Sequence, residues 1–216
     1  MNPNTNTWNR LRYGLYAPCY DLVAKRLDRG RKRSIERLNM QPGQRVLIVG
    51  AGTGLDFPHL PTGLDVTAVD LSPAMIGKAS TRAQQLGLDV DCHVMDAHRL
   101  DLPNEAFDVV LLHLILAVVP DPQATIRETA RVLKPGGRVG IFDKFLPDDA
   151  QPSYLRRAAG MVTNLLFTDI NRRLGPLLAE ADLVIAHEEP ALFGGLFKVV
   201  IAQKSATSAP FTTPHS

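Results

Sequence analysis

Cysteine is nearly absent from this chain. Its 216 residues hold two, Cys19 and Cys92, far apart and in no CxxC or Cys/His spacing. A disulfide framework and a thiolate metal site are thereby excluded; free thiols in a reducing compartment are expected, with no metal. No run approaches the roughly 18 consecutive apolar residues that cross a bilayer. No signal-peptide pattern opens the chain either, so a cytoplasmic location is expected. Net charge is small overall, formally +2, but it is unevenly spread. Between Trp8 and Leu38 nine basic residues face three acids, a local +6 that leaves about −4 for the remainder. Such asymmetry suggests an anionic partner for the N-terminal region.

What is present is a glycine-rich turn. The apolar run Val46-Leu47-Ile48-Val49 feeds Gly50-Ala51-Gly52-Thr53-Gly54, and Asp70 follows twenty positions after Gly50. Alternate glycines let the backbone take φ > 0 and let a ligand approach without a Cβ in the way. The acid falls at the tip of the next strand, where it can accept hydrogen bonds from both ribose hydroxyls of a nucleoside. The dinucleotide fingerprint G-x-G-x-x-G would need glycine where Leu55 stands, which disfavours NAD. A nucleoside without a pyrophosphate fits better, and S-adenosyl-L-methionine is the candidate cofactor. A second acid, Asp96, ends the strand Val90 to Met95 beside Ala97, and suits an adenine amino group. Leu71 and Met75 follow Asp70, and Met75 is placed to pack on an adenine ring or in the core.

Around this turn the pattern alternates strand and helix. Ser72-Pro73 reads as N-cap and first-turn proline of a helix running towards Gly87. Phe107 to His113 reads as a buried central strand. Asp121-Pro122 opens a helix reaching Leu133, and Lys134-Pro135-Gly136-Gly137 is a turn into a strand from Arg138 to Phe142. The result is an α/β fold with a mostly parallel sheet and helices on both faces. After a helix around Leu174 to Ala181, Leu183 to His187 and Phe197 to Gln203 read as a closing hairpin across Gly194-Gly195. Three regions are expected: a basic helical extension at 1–40, the main domain at 41–204 with an insertion at about 147–171, and a disordered tail at 205–216.

With the glycine turn, Asp70, Asp96 and Arg131-Val132-Leu133-Lys134-Pro135-Gly136-Gly137 in that order, the chain resembles class I S-adenosylmethionine-dependent methyltransferases. The likeness covers roughly Arg45 to Gln203 and lies in the branch (methyltransferase type 11) that contains quinone and small-molecule enzymes. It implies a Rossmann-like seven-stranded, mostly parallel sheet with a C-terminal antiparallel hairpin strand. It also implies a cofactor site formed by Tyr20, Gly50, Ala51, Gly52, Gly54, Asp70, Leu71, Met75, Asp96, Ala97 and His113. Ile48 stands where that family commonly has an acid. More narrowly, Tyr16-Ala17-Pro18-Cys19-Tyr20-Asp21, Asp28-Arg29-Gly30-Arg31 and Gly52-Thr53-Gly54-Leu55 resemble soluble bacterial phospholipid N-methyltransferases. That likeness implies phosphatidylethanolamine as acceptor, although Asp143-Lys144-Phe145 replaces the Asn-His-Phe associated with the group.

Methyl transfer asks mainly for orientation, which supplies about 7–11 kcal/mol of a barrier. The amides of Ala51 and Gly52 are expected near the methionyl part. His113, at the end of the fourth strand, is the candidate base, with pocket lining as its alternative role. The other histidines singled out, His59, His93, His98 and His187, read as surface or structural. Tyr16, Lys144 and Arg172 are candidate substrate contacts, and Tyr16 and Tyr20 candidate lids. A helix from Tyr20 to Asn39 would carry Val23, Leu27, Ile35 and Leu38 on one face. Lys25, Arg26, Arg29, Lys32, Arg33 and Arg37 would share the other, suited to anionic membrane lipid. The alternative is that the apolar strip packs on the main domain. Nucleic acid is disfavoured because the nearby aromatics form no stacking platform. A nicotinamide oxidoreductase, an RNA methyltransferase and a non-catalytic nucleoside-binding module remain as competing functions; oligomeric state is not legible.

Overall fold

Strands β1 (Arg45–Val49) and β4 (Phe107–His113) form the centre of the sheet, and their composition explains why. Val46 to Val49 and Val109 to Leu112 are almost completely inaccessible on both faces, as expected of parallel strands covered on each side. The computed structural model describes residues 27–145, 174–192 and 195–206. Their seven strands lie in the order β3-β2-β1-β4-β5-β7-β6. The flanking strands are β2 (Asp65–Asp70), β3 (Val90–Val94), β5 (Leu133–Lys144), β6 (Leu183–Leu192) and β7 (Phe197–Lys204). The pairs among β1 to β5 are parallel, whereas β7 runs antiparallel to both β5 and β6. Strand order reverses between β1 and β4. At such a switch point the loops leaving the two strands diverge and open a crevice at the carboxyl edge of the sheet.

Helices cover both faces. On one side α1 (Asp28–Leu38), a 3₁₀ turn at Phe57–His59 and α2 (Pro73–Leu86) pack Ile35, Leu38, Phe57, Ala79 and Ala83 against the sheet. On the other, α3 (Pro122–Val132) and α4 (Leu174–Ala179) contribute Ile126, Ala130, Leu174 and Leu178. The caps follow the sequence. Ser72 Oγ accepts from Met75 N at 3.4 Å, Gly87 ends α2 at φ 65°, and Asp121 Oδ1 accepts from Ala124 N at 2.9 Å.

Four details depart from the sequence reading. The Lys134–Gly137 segment is not a turn before the strand but a bulge within β5. Leu133 already pairs with Phe107, and the ladder resumes with Arg138 opposite Val109. Strand β6 runs five residues beyond His187, with Pro190 tolerated because β6 is an edge strand. Where β1 crosses to β2 the chain uses a single 3₁₀ turn. Finally, the described part of the N-terminal helix starts at Asp28 and ends at Asn39, whose φ of 45° breaks it. Its inner face, Gly30, Arg31, Ser34, Ile35 and Leu38, is buried. Gly30 is required there, since a Cβ would lie 2.2 Å from the Phe142 ring. The strip carrying Ile35 and Leu38 therefore belongs to the sheet's own core. Residues 1–26, the expected 147–171 insertion and the tail beyond Ala206 lie outside the described residues. Among those described, no helix is long and apolar enough to cross a membrane.

Candidate active site

The glycine turn is held from three sides. Gly50, Gly52 and Gly54 all have positive φ (71°, 56° and 75°). Gly50 N and Ala51 N both donate to Val69 O, at 2.8 and 2.9 Å, fastening β1 to β2. Gly52 N donates to Asp70 Oδ2 at 2.9 Å, and Ser72 N donates to Asp70 Oδ1 at the same distance. From α2, Arg82 Nη1 donates to Thr53 O and, at 3.1 Å, contacts Thr53 Oγ1. The amides of Ala51 and Gly52, expected to face a methionyl group, are thus committed to Val69 and Asp70. The turn is a fixed shelf. Gly54 serves packing: a Cβ there would stand 2.6 Å from the Phe57 ring.

Asp70 is oriented by one amide on each oxygen, and a carboxylate oxygen can accept a second bond. Burial pushes its carboxyl above the usual range, while the amides of Ser72 and Gly52 oppose that shift. Beside it opens a cleft of about 730 Å³, the open solvent at its mouth included. One wall holds Gly50, Gly52, Asp70, Leu71, Met75, Asp96, Ala97 and His98; the other is the apolar run of Leu114, Ile115, Val118, Val119 and Pro120. Seven expected cofactor residues are therefore brought together. Ala51 and Gly54 do not line it.

The second wall was missed in the sequence, although Leu114 to Val119 is an apolar run directly after a central strand. Leu114 has φ 59°, rare for a non-glycine residue. Its N–H donates to Phe142 O at 2.8 Å, which helps hold that conformation. The wall is tied from behind by Asp143, fully buried at the end of β5. Its carboxylate accepts from Ala117 N at 3.1 Å and from Lys144 N at 2.8 Å. Burial pushes the Asp143 carboxyl up to about 6. Burial also lowers the pKa of Lys144, whose ammonium lies 5.9 Å from the Phe197 ring centroid.

His113 is not at the cleft. It is buried, with Nδ1 2.7 Å from Asp56 Oδ1 and Nε2 2.9 Å from Ser34 Oγ. Asp56 also receives Arg31 Nη1 at 3.0 Å. Burial acts to raise the Asp56 carboxyl, but His113 and Arg31 outweigh it and hold it well below the ordinary carboxylate range. The expected base is therefore the centre of a buried Arg31–Asp56–His113–Ser34 network, with both ring nitrogens engaged. That network joins α1 to the segment following the glycine turn.

Of the basic residues, Arg29, Lys32, Arg33 and Arg37 are exposed on α1 and border a shallow groove with Glu36. Arg33 and Arg37 both grip Glu189 on β6, each with an Nη2–Oε2 distance of 2.9 Å. Tyr16, Tyr20, Lys25, Arg26 and Arg172 lie outside the described residues.

A family model described as a methyltransferase domain matches residues 47–141. A phosphatidylethanolamine N-methyltransferase of Cereibacter sphaeroides is 32% identical over 176 residues, covering 81% of this chain and 86% of that protein. A demethylmenaquinone methyltransferase of Renibacterium salmoninarum is 34% identical over 159 residues, 68% of this chain and 65% of that one. Among solved structures, a SAM dependent methyltransferase from Aquifex aeolicus superposes with a TM-score of 0.61 at 20% identity, covering 82% of this chain and 92% of its own. The chain belongs to the S-adenosylmethionine-dependent methyltransferases. A rigid glycine shelf, a carboxylate at the tip of β2 and another just after β3 suit the cofactor's nucleoside.

Proposed function

We propose that this methyltransferase N-methylates the ethanolamine headgroup of phosphatidylethanolamine at an anionic membrane surface. The observation that carries the reading is the likeness, over most of both chains, to the enzyme of that name. The exposed bases of α1 support it. Because Ile35 and Leu38 are taken up by the sheet, attachment rests on charge, at about 1 kcal/mol for each basic side chain near the surface.

When bound, the cofactor supplies a methyl group on a sulfonium. Asp70 would accept from the ribose hydroxyls, Asp96 from the adenine amino group, and Met75 would pack on the base; all three line the cleft. The apolar wall from Leu114 to Pro120 excludes water, and Asp143 keeps that wall in place. His113 holds Asp56 and Ser34 and moves no proton in the reaction. A quinone-type acceptor is the second reading, carried by the likeness to the demethylmenaquinone enzyme.

Purified protein incubated with methyl-labelled S-adenosylmethionine and a total cell extract should put label into the phosphatidylethanolamine fraction. Label confined to quinones, RNA or water-soluble products would remove the lipid reading. Co-sedimentation should require anionic vesicles and fall with salt, as the Debye length shrinks from about 10 Å at 0.1 M to about 3 Å at 1 M. Equal binding to neutral vesicles would remove the electrostatic attachment.

A further inference from the structure

We propose that His98 is a positioning residue that orients Asp96 and thereby sets the cleft's preference for a 6-amino over a 6-oxo purine nucleoside. The inference rests on the reading of this cleft as the S-adenosylmethionine site.

His98 and Asp96 both line the cleft. Asp96 Oδ1 accepts from the His98 backbone N at 3.0 Å and lies 2.7 Å from His98 Nδ1. The other ring nitrogen, Nε2, faces the backbone N of Asp121 at 3.3 Å. A backbone amide can only donate, so Nε2 must be the acceptor. The proton of the neutral ring then sits on Nδ1 and points at Asp96. The tautomer is fixed by a partner 23 residues further along the chain, not by Asp96 itself.

Asp121 is the N-cap of α3, and Pro120 before it belongs to the apolar wall. His98 therefore spans the cleft's far end, from the segment after β3 to the start of α3. Its two donors converge on one oxygen of Asp96. That fixes the plane of the carboxylate and the direction in which it accepts. Such a group receives a hydrogen bond from an exocyclic amino group but meets a carbonyl oxygen with two acceptors face to face. A site built to satisfy one polar group rejects the analogue that leaves it unpaired. Without the His98 ring only the backbone donor remains, the carboxylate can turn, and that discrimination falls even if the cleft keeps its shape.

The test is calorimetric titration of the full chain with S-adenosylhomocysteine and with S-inosylhomocysteine, which carries a 6-oxo group. The unmodified protein should favour the adenosyl ligand at least tenfold. His98→Ala should compress that ratio several-fold towards the value for Asp96→Ala. His98→Asn, whose amide nitrogen can donate from near the Nδ1 position, should retain it. In an Asp96→Ala background, His98→Ala should leave the ratio unchanged. If His98→Ala does not fold, His98→Gln, which lacks a donor at that position, should show the same compression. Equal weakening of both ligands by His98→Ala or His98→Gln would mean a merely structural histidine and would overturn the proposal. Loss of the ratio in His98→Asn would also overturn it. If the unmodified protein binds neither ligand, the cofactor reading falls and takes this proposal with it; if it binds both equally, only the proposal falls.

Discussion

Replacing Arg31 by methionine should be among the most damaging single changes in α1, although Arg31 stands in a run of otherwise exposed bases. Its side chain is 4% exposed and that of Asp56 2%. Methionine keeps much of the aliphatic stem's volume and removes the guanidinium, leaving Asp56 buried with His113 as its remaining side-chain partner. Removing one member of a buried ion pair costs about 3–5 kcal/mol. For a chain of this size each kcal/mol shifts Tm by about 2–4 °C, so a fall of about 6–20 °C is expected. Lys32→Met is the control, because Lys32 is 61% exposed and 3.9 Å from an equally exposed Glu36; pairs of that kind are worth about 0.3–0.5 kcal/mol. Thermal and urea unfolding followed by far-UV circular dichroism measure both variants. The Asp56 carboxyl is depressed in the folded state, so its contribution is present above the ordinary carboxylate range and is lost as pH falls below it. The Arg31→Met penalty should shrink accordingly in acid, and Asp56→Asn in the same chain should recover part of it at neutral pH. A loss no larger than that of Lys32→Met would refute the reasoning.

Three further outcomes follow from the same geometry. Asp70→Ala should weaken S-adenosylhomocysteine binding by at least tenfold, since each charge-assisted hydrogen bond to a ribose hydroxyl is worth about 1.5–3 kcal/mol; an unchanged calorimetric Kd would remove the ribose assignment. Gly54→Ala should cost about 2–5 kcal/mol in urea unfolding, from the left-handed backbone and the clash with Phe57. Gly136→Ala, at the same φ of 75° but with open space around it, should cost only the backbone part, about 1–2 kcal/mol. Hydrogen bonding from Arg33, helped by Arg37, pulls the Glu189 carboxyl down to about 2 from an ordinary 4.5. A depressed acid stabilises above its unfolded value and loses that contribution as pH falls through the folded one. The urea midpoint of Glu189→Gln should therefore lie below that of the parent at pH 7 and converge with it towards pH 2.

Features with a local cause were legible in the sequence. The Ser72-Pro73 and Asp121-Pro122 caps are written in adjacent residues, and so is the alternation that makes β1 and β4 central. Asp70 and Asp96 could be placed because strand ends carry their neighbours to one edge. The network around His113 could not be read in this way. Arg31, Ser34, Asp56 and His113 are separated by up to 82 positions, and each has an ordinary local meaning: a base in a basic helix, a small polar residue, a loop acid, a histidine at a strand tip. One clue was available. Gly30, Arg31, Ser34, Ile35 and Leu38 share a helical face, which places Arg31 among the buried positions. The spent amides of Ala51 and Gly52 depend on where Val69 O and the Asp70 carboxylate fall beside the end of β1, a matter of register between strands. At Lys134-Pro135-Gly136-Gly137 the turn chemistry was read correctly, but pairing on both sides of it makes the segment a bulge.

The most direct test of the central claim is titration of the purified chain with S-adenosylhomocysteine and, separately, with NAD. Saturable one-to-one binding of S-adenosylhomocysteine, abolished or greatly weakened in Asp70→Ala, is the expected result, together with no heat of binding for NAD. Absence of S-adenosylhomocysteine binding, or NAD binding that depends on Asp70, would contradict the assignment of this cleft.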